Sequence, residues 1–556
     1  MSAEARAPTA VGVAPVPATG SATVPARGPA AGVGRFGKDD RLGGGGRAVV
    51  LLSLLIGMGT HGWNMFRYPL YLTDEGIYME QAWSVLNEAK LSPYTYFYDH
   101  APFGWLTISG WVALLPGGFQ AFGNAINTGR VLMLLTHLAS VFLLFEVVRR
   151  FTRSKAGAFL AAFVFNVSPL AVYYQRQVLL DNLMVFWVLL GLYVLARRDG
   201  RIVTAMGAGL CFGLALITKE NALFLLPGCA YVLHRTISAQ PNRRFGISFW
   251  WFALLAPAMA YMLFALIKNE LFPSGMSFDL SSEATPGDHV SLLYTVWWQL
   301  HRNSSSGNGL SFTELLDGSW LFKDRYVLIA GSAATMLLLV AGRKNRRMRA
   351  PMLGCALMAL GYGFYLTRSA LLDFYIAPLV PLFALNIGMF FGWLTRRTKP
   401  AGAAVLVVCL LLPVLVVPGG FLVKYNTKGE LEFQDAYRLP LTYLQEEQVD
   451  WIRANVPPDS RMIIDDDIWV ALRDGEPSYP NAHPHYKASN DPDVRDKVFE
   501  SNWQNVDYVV MSNKMRDALE RGGETWVMET IDQHGERVWE RTRGDVSLEI
   551  IKISAG

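Results

Sequence analysis

The feature that most constrains this chain is a succession of long apolar runs whose intervening segments alternate in charge. About 20 apolar residues let a helix cross the hydrocarbon layer with every backbone polar group satisfied internally. Runs near 47–65, 126–148, 157–174, 179–196, 202–217, 221–234, 246–271, 326–342, 350–366, 373–394 and 401–423 meet or approach that length. Lys and Arg gather in alternate gaps: RRFTRSK (149–155), RRDGR (197–201), HRTISAQPNRR (234–244), RKNRRMR (343–349) and RRTK (396–399). Short cytoplasmic loops collect positive charge, so all five clusters and the amino terminus are expected on the cytoplasmic side. The expectation is a polytopic α-helical protein of the cell membrane, multi-pass, with about 11 transmembrane helices.

Composition agrees with that architecture. Of 556 residues 52% are hydrophobic and only 17% charged, too apolar for a large soluble enzyme. Cys211, Cys229, Cys355 and Cys409 all lie within apolar runs, which argues against a disulfide framework or a zinc cluster. Charge is divided unevenly: from residue 425 onward there are 15 Lys+Arg against 26 Asp+Glu, leaving 35 against 20 before it. Region 425–556 alternates β-like runs (RMIID, DYVVMS, SLEIIKI) with helix-like ones (YLQEEQVDWIRANV, NKMRDALERG), and is expected to be a soluble extracytoplasmic α/β domain. Residues 1–46 are rich in Ala, Pro, Gly and Val, lack periodicity and end in GGGG, as a disordered cytoplasmic tail would. Residues 47–424 then form the membrane-embedded domain.

Two external loops follow from this parsing, at 66–125 and 272–325. The first contains two apolar stretches, 76–90 and 103–122, expected as helices along the interface, with Trp105 and Trp111 suited to the headgroup layer. It also places Asp74 and Glu75 side by side, just past the first span. Arg176, Lys219 and Arg368 stand singly at the outer ends of spans. One cation near a helix end can snorkel to water at little cost, but three on one face are better explained by a shared anionic ligand. Asp181, five residues after Arg176, either pairs with it or opens the next helix with a carboxylate favoured by the dipole, or else joins the same site.

External carboxylates around external cations fit one particular chemistry. When the donor is a lipid-linked sugar phosphate, the leaving phosphate departs without needing a proton. One carboxylate then suffices as general base on the acceptor hydroxyl, a contribution of about 10² to 10⁴ in rate. The cations stabilise charge building on the phosphate. Glycosidases differ, because a second carboxyl must protonate their poor leaving group.

The motifs carrying this chemistry have a recognisable order. An Asp-Glu pair in the first external loop is followed by DHAPFGW (99–105), SPLAVYYQRQVLLDNL (168–183), LITKENALFLLP (216–227) and RSALLDFYIAPLVPLFAL (368–385). The pattern resembles the family 39 glycosyltransferases of the GT-C superfamily, which are similar to protein O-mannosyltransferases and to the aminoarabinose transferases of lipid A. The likeness covers residues 47–395 and extends more loosely beyond. It implies inverting transfer from a polyprenyl-phosphate sugar to a hydroxyl of a glycan, lipid or protein on the outer face, in a cavity roofed by the first loop beside a lipid groove. By this resemblance Asp74 matches the catalytic base, Glu75 a neighbour shaping the acceptor site, and Asp181 a second acidic position. Arg176, Lys219 and Arg368 match cationic positions around the donor phosphate, and Tyr375 an aromatic whose hydroxyl reaches it. Where the family often has Lys-Pro-Pro-Leu, this chain has His100-Ala101-Pro102-Phe103. His100 either takes the lysine's role as a phosphate or acceptor contact, although an imidazole, unlike an alkylammonium, does not carry a permanent charge, or simply closes the loop.

Other features are read plainly. The run DDD at 465–467 offers oxygen ligands to a hard divalent cation, but it follows a strand-like run and is expected to be a solvated turn, so no metal or other cofactor is implied. No Gly-rich phosphate loop and no basic-aromatic stripe are found, which disfavours a nucleotide-sugar donor and a nucleic-acid partner. A transporter or flippase of lipid-linked sugars would place its charges at mid-span or in broken helices rather than at outer ends. A non-catalytic scaffold would need the C-terminal domain to carry the function.

Overall fold

In the computed structural model the described residues run from 42 to 554, apart from 198–200, 238–241, 274–289, 302–309, 369, 421–423, 426–430, 433–435, 523–524 and 545. The expected tail up to residue 41 and much of the loop at 272–325 lie outside them.

The amino-terminal half comprises α1 (Gly44–Gly57), α2 (Thr73–Asn87), α3 (Phe103–Ala113), α4 (Ala125–Thr152), α5 (Lys155–Val167), α6 (Pro169–Tyr174), α7 (Leu180–Leu195), α8 (Ile202–Thr218), α9 (Leu226–Ile237) and α10 (Arg243–Ile267). There follow α11 (Leu292–His301), α12 (Phe312–Leu315), α13 (Leu321–Lys344), α14 (Arg349–Leu366), α15 (Leu379–Thr395) and α16 (Lys399–Gly420). Within the described residues each apolar run named from the sequence is largely helical. Among the described residues Ala125–Thr152, Arg243–Ile267, Phe312–Lys344 and Asp373–Thr395 are long and apolar enough to cross a membrane. The run GGGG opens α1 instead of ending a tail, because the Gly46 and Arg47 amides already bond back to the Gly43 carbonyl at 2.8 and 3.1 Å. All four cysteines are free and buried.

Local chemistry sets the helix boundaries. Asn124 caps α4 by accepting from the Asn127 amide at 2.8 Å, and Ser168 caps α6 with Pro169 in its first turn. Helices α5 and α15 approach so closely that a Cβ on Gly157 would lie 2.4 Å from the Gly392 Cα. Small residues at such contacts give the close backbone packing that holds helices together in lipid, where the hydrophobic effect does not.

The first loop folds as two short helices, α2 and α3. The second is shorter than its sequence predicts, since Gly117 takes φ 92° and breaks it before the single turn Gly118–Gln120. Trp105 does not face a headgroup layer: it is buried, while half-buried Trp111 donates to the Thr128 carbonyl at 3.0 Å.

The C-terminal module contains α17 (Tyr443–Asn455), α18 (Trp469–Arg473) and α19 (His485–Asn490). A short pair, β1 (Lys424–Tyr425) with β2 (Leu431–Glu432), precedes a five-stranded sheet of β3 (Met462–Ile464), β4 (Ala482–Pro484), β5 (Tyr508–Ser512), β6 (Gly535–Arg543) and β7 (Val546–Ile553), ordered β4-β3-β5-β7-β6. Strands β4, β3 and β5 are parallel, and β7 runs antiparallel to β5 and β6. Residues Arg41–Gly556 make one compact unit, so this module is docked on the bundle. The Gln445 side chain of α17 accepts from the Tyr71 amide at 2.9 Å and donates to its carbonyl at 3.1 Å. The backbone of α2 lies against the module at Gly76, where a Cβ would come within 2.2 Å of the Asp466 carbonyl oxygen. The Asp465–Asp467 run is therefore not a solvated turn: Asp466 is fully buried against α2.

Candidate active site

The two adjacent carboxylates of α2 have different environments. Successive helical residues point about 100° apart, so Asp74 and Glu75 look out on different surroundings. Glu75 is fully buried and accepts from Arg130 Nε at 2.9 Å and Nη2 at 2.8 Å, from the Val178 amide at 2.9 Å and from the Leu72 amide at 3.1 Å. Arg130 extends the network to the carbonyls of Met65 and Pro69 at 2.9 and 3.0 Å. With its oxygens so occupied Glu75 ties α2 to α4 and to the turn before α7. The geometry gives it no acceptor-facing oxygen, contrary to its sequence-based expectation.

Asp74 is only half-buried, and the Tyr78 hydroxyl one turn on approaches it at 3.4 Å. Burial raises its carboxyl pKa above the ordinary value; Lys219 and then His100 pull it down, and Asp181 adds to the rise. Asp74, His100, Asp181 and Lys219 thus share one electrostatic environment. Asp181 opens α7 and Lys219 follows α8, so both sit at the end of that hairpin opposite the RRDGR cluster. Lys219 Nζ lies 2.5 Å from Asp181 Oδ2, and its ammonium faces the rings of Phe374 and Tyr375 at 5.0 and 4.8 Å. Asp181 therefore pairs with Lys219, not Arg176, and its Oδ1 is buried without a hydrogen-bond partner.

His100 Nδ1 meets Glu220 Oε2 at 3.0 Å, and the other oxygen of Glu220 accepts from the Ala101 amide at 2.5 Å. The His100 carbonyl is held by the Tyr96 hydroxyl at 3.0 Å, which also meets the Tyr261 hydroxyl at 2.8 Å. Tyr375 is buried in the turn before α15, and its carbonyl accepts from the Tyr362 hydroxyl at 3.0 Å.

Arg176 departs from its expected role. Its five N–H donors meet five carbonyls: His61 at 3.1 Å, Tyr68 at 3.4 Å, Ala436 at 2.7 Å, Thr60 at 2.8 Å and Trp63 at 2.8 Å. A guanidinium has no sixth donor for a phosphate, so Arg176 is a clamp joining the end of α1 to the chain before α17. Arg368 is exposed after α14, stacked 5.3 Å from the Phe364 ring. The structure gathers Asp74, His100, Asp181, Lys219 and Tyr375, leaves Arg368 at the surface, and turns Glu75 and Arg176 to other tasks.

Sequence reasoning missed Glu220, Tyr78 and an ion pair in which Lys323 Nζ lies 2.5 Å from Asp373 Oδ2 and 2.6 Å from Ser319 Oγ. Tyr174 also donates to Asp373. Glu220 was visible beside Lys219 in LITKENALFLLP. Lys323 stands just before the run at 326–342 and reads as ordinary loop charge. A cavity of about 320 Å³ lies on the other face of α2, lined by Tyr71, Gly76, Met79 and Asp466 among others and not by Asp74 or Tyr78.

Comparison with known proteins bears on the fold. Residues 100–269 match the sequence profile of the dolichyl-phosphate-mannose-protein mannosyltransferase family. No curated protein matches the sequence. The chain is similar in structure to ArnT from Cupriavidus metallidurans bound to undecaprenyl phosphate, with TM-score 0.56 and 14% identity over 91% of this chain and 97% of that one. It is also similar to the apo oligosaccharyltransferase of Archaeoglobus fulgidus, with TM-score 0.54 and 13% identity over 88% of this chain and 73% of that one. The same organism's AglB, in complex with an inhibitory peptide and a dolichol-phosphate, gives TM-score 0.52 at 12% identity over 88% and 72%. The fold is that of the GT-C glycosyltransferases, membrane proteins built on apolar helices. Within that class the chain resembles the protein O-mannosyltransferases over 100–269 and ArnT over most of its length.

Proposed function

We propose that the protein is an inverting glycosyltransferase that moves a sugar from a polyprenyl-phosphate donor to a hydroxyl of a glycan, lipid or protein on the outer face of the membrane, with Asp74 as general base. The observation that carries this reading is the placement of the half-buried Asp74 carboxylate in the same field as the buried Lys219–Asp181 pair. A raised pKa makes Asp74 a better proton acceptor than an ordinary aspartate, and a base works best when its pKa approaches the operating pH.

In this scheme Asp74 takes the proton from the acceptor hydroxyl. The oxygen forms its bond to the anomeric carbon on the face opposite the phosphate, and the bond from that carbon to the phosphate oxygen breaks. The electron pair leaves with the polyprenyl phosphate, whose growing charge is met by Lys219, with Arg368 and Lys323 as outer cations and the Tyr375 hydroxyl as donor. Asp181 holds Lys219 in place, and His100, set by Glu220, contacts the acceptor or the phosphate. ArnT and AglB, which share the fold, were solved with undecaprenyl phosphate and dolichol-phosphate, and this supports a lipid-linked donor. The basic clusters support an outer-face site, since they stand at the helix ends opposite Asp181 and Lys219.

The test is incubation of the purified protein with a panel of polyprenyl-phosphate sugars and acceptors. A glycosyltransferase releases polyprenyl phosphate and makes a new glycosidic bond. A flippase or transporter moves the lipid-linked sugar and makes none, which would overturn the assignment.

A further inference from the structure

Where the α/β module meets α2, three side chains converge. Asp465, Asp466 and His485 each bring a ligand atom within 4.8 Å of the other two, and all three residues are buried. Asp466 is completely buried and neither carboxylate oxygen has a hydrogen-bond partner; the Tyr486 hydroxyl comes near without ordinary hydrogen-bond geometry. His485, at 8% exposure, likewise leaves Nδ1 unpartnered. Glu80 of α2 is buried with Oε2 unpartnered. Lys487 is the cation nearest in effect. It forms no ion pair with Asp466, and its ammonium faces the rings of Phe97, Tyr486 and Tyr94 at 4.8, 5.1 and 5.3 Å.

A buried carboxylate without donors is costly, and folded proteins resolve it by pairing, protonation or a bound cation. Asp465 is already oriented as a ligand would be. Its Oδ1 accepts from Thr73 Oγ1 and the Asp466 amide, both at 3.0 Å, and its Oδ2 accepts from Ser512 Oγ at 2.9 Å. Such outer hydrogen bonds fix the direction of metal-binding carboxylates.

We infer that Asp465, Asp466 and His485 hold a divalent transition-metal ion of the zinc or manganese class, inside the α/β module where it packs on the helix that begins beside Asp74. One imidazole nitrogen with two carboxylates suits those ions better than the all-oxygen sets of calcium or magnesium. Asp466 also lines the 320 Å³ cavity beside α2. The site reaches the first turn of α2 through the Thr73–Asp465 bond and the contact of Gly76 with the Asp466 backbone. It stands whether or not Asp74 is the catalytic base.

The full-length protein, purified in detergent without chelator, is analysed for metal by mass spectrometry. It is then stripped with EDTA and titrated with Zn²⁺ or Mn²⁺ while its thermal unfolding midpoint is followed. The expected result is about one ion per chain, a lower midpoint after stripping, and recovery on adding the metal. Asp466→Asn and His485→Gln lose the ion, and His485→Gln, a mild change, serves if the aspartate variant does not fold. His534→Gln, elsewhere in the module, keeps it. An ion-free wild type whose midpoint does not respond to either metal overturns the inference, as does an ion content unchanged in both variants, which marks adventitious binding.

Discussion

Lys219 and Asp181 join the facing ends of α8 and α7 through a fully buried ion pair, Nζ 2.5 Å from Oδ2, with side chains 2% and 0% exposed. Removing one partner of such a pair strands the other charge, at a cost of about 3–5 kcal/mol, whereas neutralising both is far milder. Lys219→Met should therefore lower the unfolding midpoint sharply, and Lys219→Met with Asp181→Asn should restore most of it. Glycosyl transfer should stay lost in both, because the cation proposed to face the donor phosphate is gone. Recovery of activity along with stability in the double variant would show that the pair is only structural.

The neighbours Asp74 and Glu75 should separate cleanly by substitution. Glu75→Gln breaks the bidentate contact with Arg130 and should destabilise the protein by about 3–5 kcal/mol, seen as poor yield and a lower midpoint in detergent. Asp74→Asn should leave the midpoint nearly unchanged. Equal destabilisation by both would contradict the division of roles.

The structural role of Glu75 was not legible in the sequence, where the resemblance gave Asp74 the base and Glu75 the acceptor site. The apolar runs and the strands β3, β5 and β7 were legible, because span length and short runs of β-forming apolar residues are local signals. Arg130, within an apolar stretch of α4, is the partner that settles Glu75, and nothing local marks which distant carboxylate it will meet. Arg176 looked like a phosphate ligand for the same reason. Its five carbonyl partners come from the end of α1, from the chain just after it and from Ala436, remote in sequence.

Arg176→Lys accordingly tests placement. A lysine offers one point charge and three donors where a planar fork satisfied five carbonyls. The expected effect is a loss of about 3 kcal/mol or less in stability, the scale of a lost charge-assisted bond, with the donor KM of the surviving protein unchanged. A raised KM at unchanged stability would return Arg176 to the donor site.

The pH dependence of transfer should report on Asp74. The base must be ionised, and burial raises its pKa, so kcat/KM should rise with pH on an acid limb lying above the ordinary aspartate range. Asp181 adds to that rise and His100 opposes it. Asp181→Asn should thus shift the limb to lower pH and His100→Ala to higher pH, measured as initial rates of polyprenyl phosphate release. Shifts of the opposite sign would place these groups away from the base.

The role of Asp74 as base is measured in Asp74→Asn, by following release of polyprenyl phosphate and formation of the glycosidic bond in parallel with donor binding. A loss of about 10² to 10⁴ in rate is expected, with binding and unfolding midpoint preserved. Transfer retained at the wild-type rate would contradict it.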